Sequence, residues 1–349
     1  MSYTDLIRRT WEQNILFSVL VELTYTCNLN CYYCYNDRNL QGKPLTTQQY
    51  FRFFEDLRDM GVLHLTLSGG EPLMHPDFFA LGAKARKLGF VIRIKSNGHA
   101  LNEESIRKIR AEIDPFMIDI SLHGASAAVH ERQTRVVGSF ALLLNNLDSL
   151  AHQKQRFRLN SVLTSWNEHE AEQMFALAHT YDMPLNMNMT ISPCDNGTTN
   201  PLSIIPSDAA ILKTIRLLDL QAEEMVRRKG SGQRGIIDCD AASENEKKQC
   251  GSASATLAVD PFGNVLPCVQ WRESAGSLHE QSLKVIWESS ELLQKVRAIT
   301  QQGNVMIKQK WSQLNGAGYC PALANILTGD PLQEDSQTVR LMTTLNKSK

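Results

Sequence analysis

Between residues 16 and 229 the chain alternates short, largely apolar runs with longer segments in which apolar residues recur at helical spacing. A short apolar run bounded by turn residues predicts a strand, and apolar residues three and four positions apart predict one face of a helix. This alternation is typical of parallel strands joined by helical crossovers. We predict strands at 16–24, 62–70, 90–98, 116–124, 156–164 and 184–192, and helices at 47–61, 77–89, 102–112, 138–153, 167–182 and 207–229. Six such units favour an open, partial (β/α)6 barrel of the TIM type, whose functional residues collect at the C-terminal ends of the strands.

The pattern changes beyond a predicted linker at 230–238. Residues 250–269 read as two short strands around an Asp-Pro-Phe-Gly-Asn turn, and a helix is predicted from about 281 to 299. The polar tail after 331 is expected to be loosely held. The sequence therefore predicts an α/β protein with a barrel and a small C-terminal domain. Its parts are an N-terminal extension (1–15), the barrel (16–206), a helix and linker (207–238), the small domain (239–330) and the tail (331–349).

Composition and charge exclude some functions. The 349 residues include 36 basic and 37 acidic side chains, for a net charge of −1, and no region is strongly basic. Binding to nucleic acid or to an anionic membrane surface is therefore not expected. The N-terminus lacks the apolar segment of a signal peptide and no long apolar window occurs, so we expect a cytoplasmic location. Eight cysteines in such a chain indicate metal binding or catalysis before disulfides.

Three cysteines follow the first predicted strand. Cys27, Cys31 and Cys34 are spaced C-x3-C-x2-C, and the nearest histidine in the sequence is His64. Zinc usually takes four ligands delivered as two pairs, so a closed zinc site is poorly supplied here, although it remains an alternative. An iron–sulfur cube held by three thiolates leaves one iron open to another ligand.

The stretch CNLNCYYC resembles the signature of the radical S-adenosylmethionine (SAM) superfamily. In that family the amino and carboxylate groups of SAM chelate the open iron. One electron from the cluster then cleaves SAM to methionine and a 5′-deoxyadenosyl radical, so the cofactor supplies the difficult chemistry. The resemblance implies that Cys27, Cys31 and Cys34 hold a [4Fe–4S] cluster and that Tyr33 lies beside the adenine.

Later strand ends carry further motifs of the same family. SGGEP (68–72) resembles the glycine-rich motif whose backbone meets the SAM amino group, while KSNG (95–98) and SLHG (121–124) end the third and fourth strands. For each motif an ordinary turn or solvated loop is the alternative, and His123 is open between a packing role and a site role. The resemblance implies SAM contacts by Gly69, Gly70, Glu71, Pro72, Ser96, Asn97, Ser121, Arg132 and Arg135.

A second group of cysteines lies near the C-terminus. Cys250, Gly263 and Cys268 form C-x12-G-x4-C, which resembles the opening of the auxiliary-cluster domain called SPASM or its shorter relative called twitch. Only Cys320 remains of that domain's closing cysteine run. The resemblance implies one auxiliary [4Fe–4S] cluster held by Cys239, Cys250, Cys268 and Cys320. Without Cys239 the cluster would have an open iron, and a zinc ribbon is the alternative for the whole region.

Cys194 follows the sixth predicted strand in the stretch TISPCDNG and is expected to face the barrel mouth. A thiol there can donate a hydrogen atom to a substrate radical, as an epimerase requires. It can also be a stray ligand or a packed small apolar residue. These three readings stay open.

A barrel with an auxiliary-cluster domain is similar to the maturases of ribosomally made peptides, such as the pyrroloquinoline-quinone and mycofactocin maturases. The resemblance implies an enzyme that abstracts a hydrogen atom from a peptide and leaves a crosslink, an epimerised residue or an oxidation. A dehydrogenase or cyclase of a small metabolite and a non-catalytic iron–sulfur carrier are the alternatives. The implied partners are a peptide and an electron donor such as flavodoxin or ferredoxin. Because residues 1–15 leave little room for a leader-binding module, leader recognition is expected to need a separate leader-binding protein or another surface of this chain.

Overall fold

The computed structural model describes residues 3–229, 247–310 and 319–346. Within these ranges nine strands form one sheet, in the order β6-β5-β4-β3-β2-β1-β7-β8-β9. The strands are β1 Ser18–Glu22, β2 His64–Ser68, β3 Val91–Ser96, β4 Met117–Ser121, β5 Phe157–Val162, β6 Leu185–Asn188, β7 Thr256–Val259, β8 Asn264–Leu266 and β9 Gly276–Ser277. Strands β1–β6 are parallel neighbours in chain order, which confirms the partial (β/α)6 barrel.

Twelve α-helices lie within the described residues. Helix α2 shows why the chain turns helical: the Thr46 side chain accepts a hydrogen bond from the Gln49 backbone N–H, and the Gln49 side chain accepts one from the Thr46 N–H. The helices are α1 Tyr3–Gln13, α2 Thr47–Asp59, α3 Phe78–Lys87, α4 Glu103–Glu112, α5 Ala127–Thr134, α6 Ser139–His152, α7 Ala171–Thr180, α8 Asp208–Lys229, α9 Leu283–Ser289, α10 Glu291–Lys310, α11 Pro321–Thr328 and α12 Ser336–Asn346. Each predicted crossover helix is present, and its bounds coincide with the predicted ones or lie up to four residues inside them.

The two faces of the parallel strands differ in polarity because successive side chains point to opposite sides. One face is apolar and packs under the helices; Val19, Leu67, Ile94 and Ile120 on this face are all fully buried. The other face lines the barrel interior and is polar on β3–β6. Its members include Arg93, Lys95, Asp119, Arg158, Asn160 and Asn186.

The hairpin of the small domain extends the barrel sheet. Strand β7 pairs in parallel with β1, matching Ser18 with Thr256, and β8 returns antiparallel to β7. In the turn between them the Asp260 carboxylate accepts hydrogen bonds from the backbone N–H groups of Phe262 (2.9 Å) and Asn264 (2.8 Å). Gly263 adopts φ +78°, a conformation that favours glycine. The predicted hairpin is confirmed, and its union with β1 was not predicted.

The C-terminal helices differ from the sequence prediction. The helix expected over 281–299 breaks at Ser290, whose ψ of 120° separates α9 from α10. The tail expected to be loosely held instead contains α12, so that prediction is wrong. Asp335 caps this helix by accepting hydrogen bonds from the N–H groups of Gln337 and Thr338, and Met342 is buried. None of the helices in the described ranges has the length and apolar character needed to cross a membrane.

Candidate active site at the C-terminal ends of the strands

The glycine-rich turn after β2 supports the loop that leaves β1. The Gly70 N–H donates to the Thr24 carbonyl (2.6 Å) and the Glu71 N–H donates to the Thr26 carbonyl (3.0 Å). Gly69 has φ +135°, and a Cβ there would lie 2.3 Å from the Thr24 carbonyl oxygen. A side chain at this position would therefore push away the segment that leads into Cys27. Contact of this turn with the SAM amino group stays a prediction.

Gly69→Ala is expected to lower the free energy of unfolding by about 2–4 kcal/mol, because it combines backbone strain with a collision against backbone. Gly89→Ala is the matched control, since Gly89 also has a positive φ (+88°) but no atom within 4 Å of the added Cβ. That variant should lose only about 1–2 kcal/mol. Anaerobic chemical denaturation of both proteins measures the difference, and equal losses would contradict the close approach at Gly69.

The Glu71 carboxylate ties the ends of β2 and β3 together. It is fully buried and accepts hydrogen bonds from the Ser96 hydroxyl (3.0 Å) and from the backbone N–H groups of Asn97 (2.8 Å) and Leu73 (3.2 Å). Burial raises the pKa of Glu71 to about 7, although these hydrogen bonds oppose the shift. Pro72 is also buried and begins a short 3-10 helix. In this structure the predicted motif residues Glu71, Pro72 and Ser96 stabilise the ends of β2 and β3.

The raised pKa of Glu71 predicts a pH dependence of stability. The folded protein holds this proton to higher pH than the unfolded chain, so the free energy of unfolding should fall as the pH rises from about 4.5 to about 7. The fall attributable to this group is at most about 3 kcal/mol. Glu71→Gln should remove it, whereas Glu104→Gln on the exposed face of α4 should not. Denaturation curves of the three proteins between about pH 5 and pH 8 provide the measurement; an unchanged slope in Glu71→Gln would contradict the assignment.

The three cysteines of the loop after β1 lie together beside the residues that follow β3 and β4. The Cys27 sulfur accepts hydrogen bonds from the Leu29 N–H (3.4 Å) and the Asn97 side-chain amide (3.7 Å). The Cys31 sulfur lies 4.0 Å from Nε2 of His123. Burial raises the pKa of all three thiols, that of Cys31 to about 12, and other cysteines of the set add to the shifts of Cys31 and Cys34.

This donor set fits an iron–sulfur cube. It offers three soft sulfur ligands with N–H groups directed at one of them, as in clusters whose sulfurs are hydrogen-bonded. In the described ranges no three His, Cys, Asp or Glu side chains converge closely enough to hold a single metal ion. Thiolates at separate corners of a cube need not converge in this way, whereas the ligands of a zinc ion must. Three soft sulfur ligands are the donor chemistry of an iron–sulfur cluster.

Arg38 fixes the shape of the cysteine loop, a role that the sequence analysis missed. Its guanidinium donates to the Leu29 carbonyl (2.6 Å) and to the Asn30 side-chain oxygen (2.7 Å). Asn30 also donates its backbone N–H to the Thr134 carbonyl (3.0 Å), which joins the loop to the end of α5. The only sequence feature that could have indicated this role is the position of Arg38, four residues after Cys34.

Tyr33 and His123 meet at the end of β4. The Tyr33 hydroxyl lies 2.5 Å from Nδ1 of His123. The backbone N–H of His123 donates to Nδ1 of His130 (3.3 Å). Burial lowers the pKa of His123 to about 4, so its ring is neutral near pH 7. The structure thus brings His123 into the site, while Ser121, at the end of β4, is half-buried. Their contacts with SAM remain predictions.

Arg132 and Arg135 stack on aromatic rings. The Arg132 guanidinium lies 4.1 Å from the ring centre of Trp166, and that of Arg135 lies 4.8 Å from the ring centre of Tyr32. Arg135 adopts φ 56° at the end of α5. Within the described ranges neither arginine pairs with a carboxylate, and contact of either with the SAM carboxylate stays a prediction.

A buried ion cluster joins the small domain to the barrel mouth. Arg272 donates to both carboxylate oxygens of Glu22 (2.8 and 3.2 Å) and pairs with Asp195 at 2.9 Å. The hydroxyls of Tyr25 and Tyr35 also donate to Glu22. Burial raises the pKa of Asp195 to about 6, although Arg272 opposes the shift. Nothing in the local sequence pattern links these residues, because they lie far apart in the chain.

Cys194 lies against the cysteine loop. Its thiol donates to the Cys34 carbonyl (3.3 Å), and the Asp195 N–H next to it donates to the Tyr35 carbonyl (2.8 Å). Burial raises the pKa of Cys194, so the protonated thiol is favoured. The predicted place at the barrel mouth matches this contact, and the donor role stays a prediction.

The auxiliary cysteines Cys250, Cys268 and Cys320 come together in the small domain. Burial raises the pKa of Cys250 to about 12 and that of Cys320 to about 11, and Cys268 adds to both shifts. Cys239, the predicted fourth ligand, lies outside the described residues. Three half-buried cysteines again fit an iron–sulfur cluster by their chemistry.

Comparison with known proteins agrees with this geometry. Residues 21–178 match the radical SAM superfamily, and residues 250–315 match the SPASM family, described as an iron–sulfur cluster-binding domain. The first range contains Cys27, Cys31 and Cys34, and the second contains Cys250 and Cys268 but ends before Cys320.

Three relatives are similar to this chain over most of its length. The AdoMet-dependent heme synthase of Methanosarcina barkeri is 26% identical over 336 residues, covering 90% of this chain and 93% of the relative. The mycofactocin maturase MftC of Mycobacterium ulcerans is 26% identical, covering 79% and 75%. The PqqA peptide cyclase of Ruegeria pomeroyi is 27% identical, covering 91% and 86%.

Among solved structures, anSMEcpe with bound AdoMet and the Kp18Cys peptide superposes with a TM-score of 0.70 at 16% identity. The match covers 95% of this chain and 99% of that one. This likeness supports the fold. Radical SAM domains bind SAM and a [4Fe–4S] cluster, and SPASM domains bind auxiliary clusters. The chain is therefore a radical SAM enzyme with a SPASM domain, and SAM and [4Fe–4S] clusters are its cofactors.

Proposed function

We propose that this enzyme abstracts a hydrogen atom from a peptide and matures a ribosomally synthesised peptide by crosslinking, epimerisation or oxidation. The observation that carries the proposal is the three-thiol loop held at the barrel mouth by the glycine-rich turn. When bound, SAM and the cluster would supply a 5′-deoxyadenosyl radical. The protein's part is to position both cofactors above the barrel interior and to shield them from water.

The chain's own residues divide this task. Cys27, Cys31 and Cys34 would hold the first cluster, and the Asn97 amide would hydrogen-bond to the Cys27 sulfur, as it does here. Tyr33 would flank the adenine. Cys250, Cys268 and Cys320 would hold the auxiliary cluster, with Cys239 as the proposed fourth ligand. That cluster would supply a path for electrons between the substrate and a donor such as flavodoxin or ferredoxin.

The names of the relatives support a peptide substrate. The PqqA peptide cyclase is named for a peptide, and the structure of anSMEcpe contains one. A separate leader-binding protein is part of this proposal. A small-molecule substrate is the second candidate, because the heme synthase matches 90% of this chain, about as much as the peptide cyclase does. A non-catalytic carrier is disfavoured, since it needs no glycine-rich turn beside the cysteine loop.

The first experiment separates an enzyme from a carrier. Protein reconstituted anaerobically with iron and sulfide is incubated with dithionite and SAM, and 5′-deoxyadenosine is quantified. We expect its formation to depend on protein, reductant and SAM together. A protein that binds iron and is reduced without cleaving SAM would overturn the proposal in favour of a carrier.

The second experiment separates a peptide from a metabolite. The enzyme is co-expressed with a short peptide encoded beside its gene, and the peptide is analysed by mass spectrometry. Loss of two hydrogen atoms indicates a crosslink or an oxidation, and unchanged mass with altered chirality indicates epimerisation. A SAM-cleaving enzyme that leaves every such peptide unmodified would favour the small-molecule alternative.

A further inference from the structure

The interior of the barrel carries an unbalanced group of cations below the site. Arg93 on β3 and Arg158 on β5 both contact Asp119 on β4, at 3.3 and 2.7 Å. Lys95 is the register partner of Asp119, so the three cations surround one carboxylate. All four side chains lie on the polar inner face, because the residues that alternate with them pack under the helices.

The three cations are incompletely neutralised. Within the described ranges Lys95 makes no ion pair and its ammonium has no hydrogen-bond partner. Arg158 uses only its Nε for Asp119, and Arg93 uses only Nη1. Asp119 also accepts a hydrogen bond from Asn160 (3.3 Å), so its oxygens are well used. Several N–H donors of this group therefore have no acceptor.

The group is enclosed but open to a ligand. The side chains of Arg158 and Asp119 are only 11% and 5% exposed, whereas Lys95 is exposed between the buried residues Ile94 and Ser96. The surrounding barrel wall lowers the pKa of Lys95, and Arg93 and Arg158 add to this shift while Asp119 opposes it. Cations that share an enclosed space repel one another, and an additional anion would relieve that repulsion.

Among the strands that the structure describes, no other inner-face carboxylate is available to pair with these cations. Glu22, at the end of β1, is already held by Arg272 and by the hydroxyls of Tyr25 and Tyr35. An anion that completes this group would therefore come from outside the described residues.

The depth of the group indicates which molecule it serves. Asp119 is two residues before the end of β4, which places it about 6–7 Å below the strand ends. SAM is expected at the strand ends themselves, beside Asn97 and the cysteine loop. A substrate that enters the barrel interior from the strand ends would therefore meet this group below the expected SAM site.

We propose that Lys95, Arg93 and Arg158 bind a carboxylate of the peptide substrate and so place the reacting carbon under SAM. This inference rests on the peptide function proposed above. Arginine offers a planar pair of donors that matches a carboxylate, and lysine adds a compact charge. The substrate is thus expected to carry an acidic side chain or a terminal carboxylate close to the modified residue.

The test uses a library built on the short peptide encoded beside the gene, with its leader kept and the following region randomised. The library is co-expressed with the whole enzyme and the leader-binding protein, and modified members are isolated and sequenced. In one arm a constant tail follows the random region, so only side-chain carboxylates are near it. In the other arm the random region ends the peptide. We expect Asp or Glu to be enriched beside the modified residue in the first arm, or modification confined to the chain end in the second.

Charge variants then connect this preference to the barrel. For a modified acidic peptide, Lys95→Met should lower kcat/KM about tenfold or more, and Lys95→Glu should shift the preference toward basic residues. Lys87→Glu makes the same charge change on an exposed turn of α3 and should alter neither. SAM cleavage without peptide is measured for each variant.

Three results would overturn the inference. Modified peptides without an acidic preference would do so, as would a preference that survives Lys95→Glu. Equal losses of SAM cleavage with and without peptide would assign Lys95 to the cofactor. If the wild-type enzyme cleaves SAM but modifies no peptide in either arm, the peptide function itself fails, and this inference fails with it.

Discussion

Replacing Cys31 with alanine is expected to reduce formation of 5′-deoxyadenosine to the background of the assay. Cys31 is one of only three thiols in the loop after β1, and its sulfur is enclosed between the loop and His123. Two thiolates leave a second iron without a protein ligand, so the cluster is lost or no longer presents a single open iron to SAM. Iron content, the cluster's visible absorption and 5′-deoxyadenosine are measured together on anaerobically reconstituted protein.

Two comparisons make this result specific. Ser289→Ala removes a polar atom of similar size from the exposed surface of α9 and should retain the activity. Cys268→Ala removes an auxiliary ligand and should lower peptide modification more than SAM cleavage. Normal 5′-deoxyadenosine formation by Cys31→Ala would show that this loop does not hold the SAM-binding cluster.

Replacing Arg272 with methionine is expected to lower the free energy of unfolding by about 3–5 kcal/mol. The substitution leaves Glu22 charged and fully buried, with only two tyrosine hydroxyls as partners. Removing one member of a buried ion pair costs this much because the remaining charge is desolvated without compensation. Anaerobic chemical denaturation of the holoenzyme gives the value.

The control for Arg272 is Arg340→Met, which breaks an ion pair of 2.6 Å with Asp208 on the surface. Exposed pairs contribute about 0–1 kcal/mol, so this variant should be close to wild type. The double variant Glu22→Gln/Arg272→Met should recover part of the loss, since it removes the buried charge of Glu22 and leaves only Asp195 without its cation. A loss at Arg272 as small as that at Arg340 would show that water still reaches Glu22.

Local sequence patterns predicted much of the fold. The strand and helix periods are correct because one face of each element is uniformly apolar, as in β3, where Ile92 and Ile94 are buried and Arg93 faces the interior. The predicted strands are longer than the observed ones because motif residues such as Gly69 and Gly70 continue the apolar run but bend away from the ladder. The three-cysteine loop was found because its residues are close in sequence.

The rest of the site depends on contacts between distant residues. Arg272 is separated from Glu22 by 250 positions, and neither lies in a recognisable motif. The same limit applies to the cationic group, since Arg93 and Arg158 come together only when β3, β4 and β5 are in register. The helix α12 was missed because its sequence is mostly polar. Its few apolar side chains become buried when the helix packs against α8.

The parallel pairing of β1 with β7 affects how the molecule must be assembled. Strand β1 finds its second neighbour more than two hundred residues later, when Thr256–Val259 becomes available. During synthesis the backbone N–H and C=O groups on one edge of β1 therefore stay unpaired until β7 has been made. Contacts between residues so far apart in the chain also form slowly. A chain truncated after α8 would keep this side permanently open, where it could pair with another molecule. Deleting the iron–sulfur domain would thus produce an aggregation-prone barrel rather than a simpler enzyme.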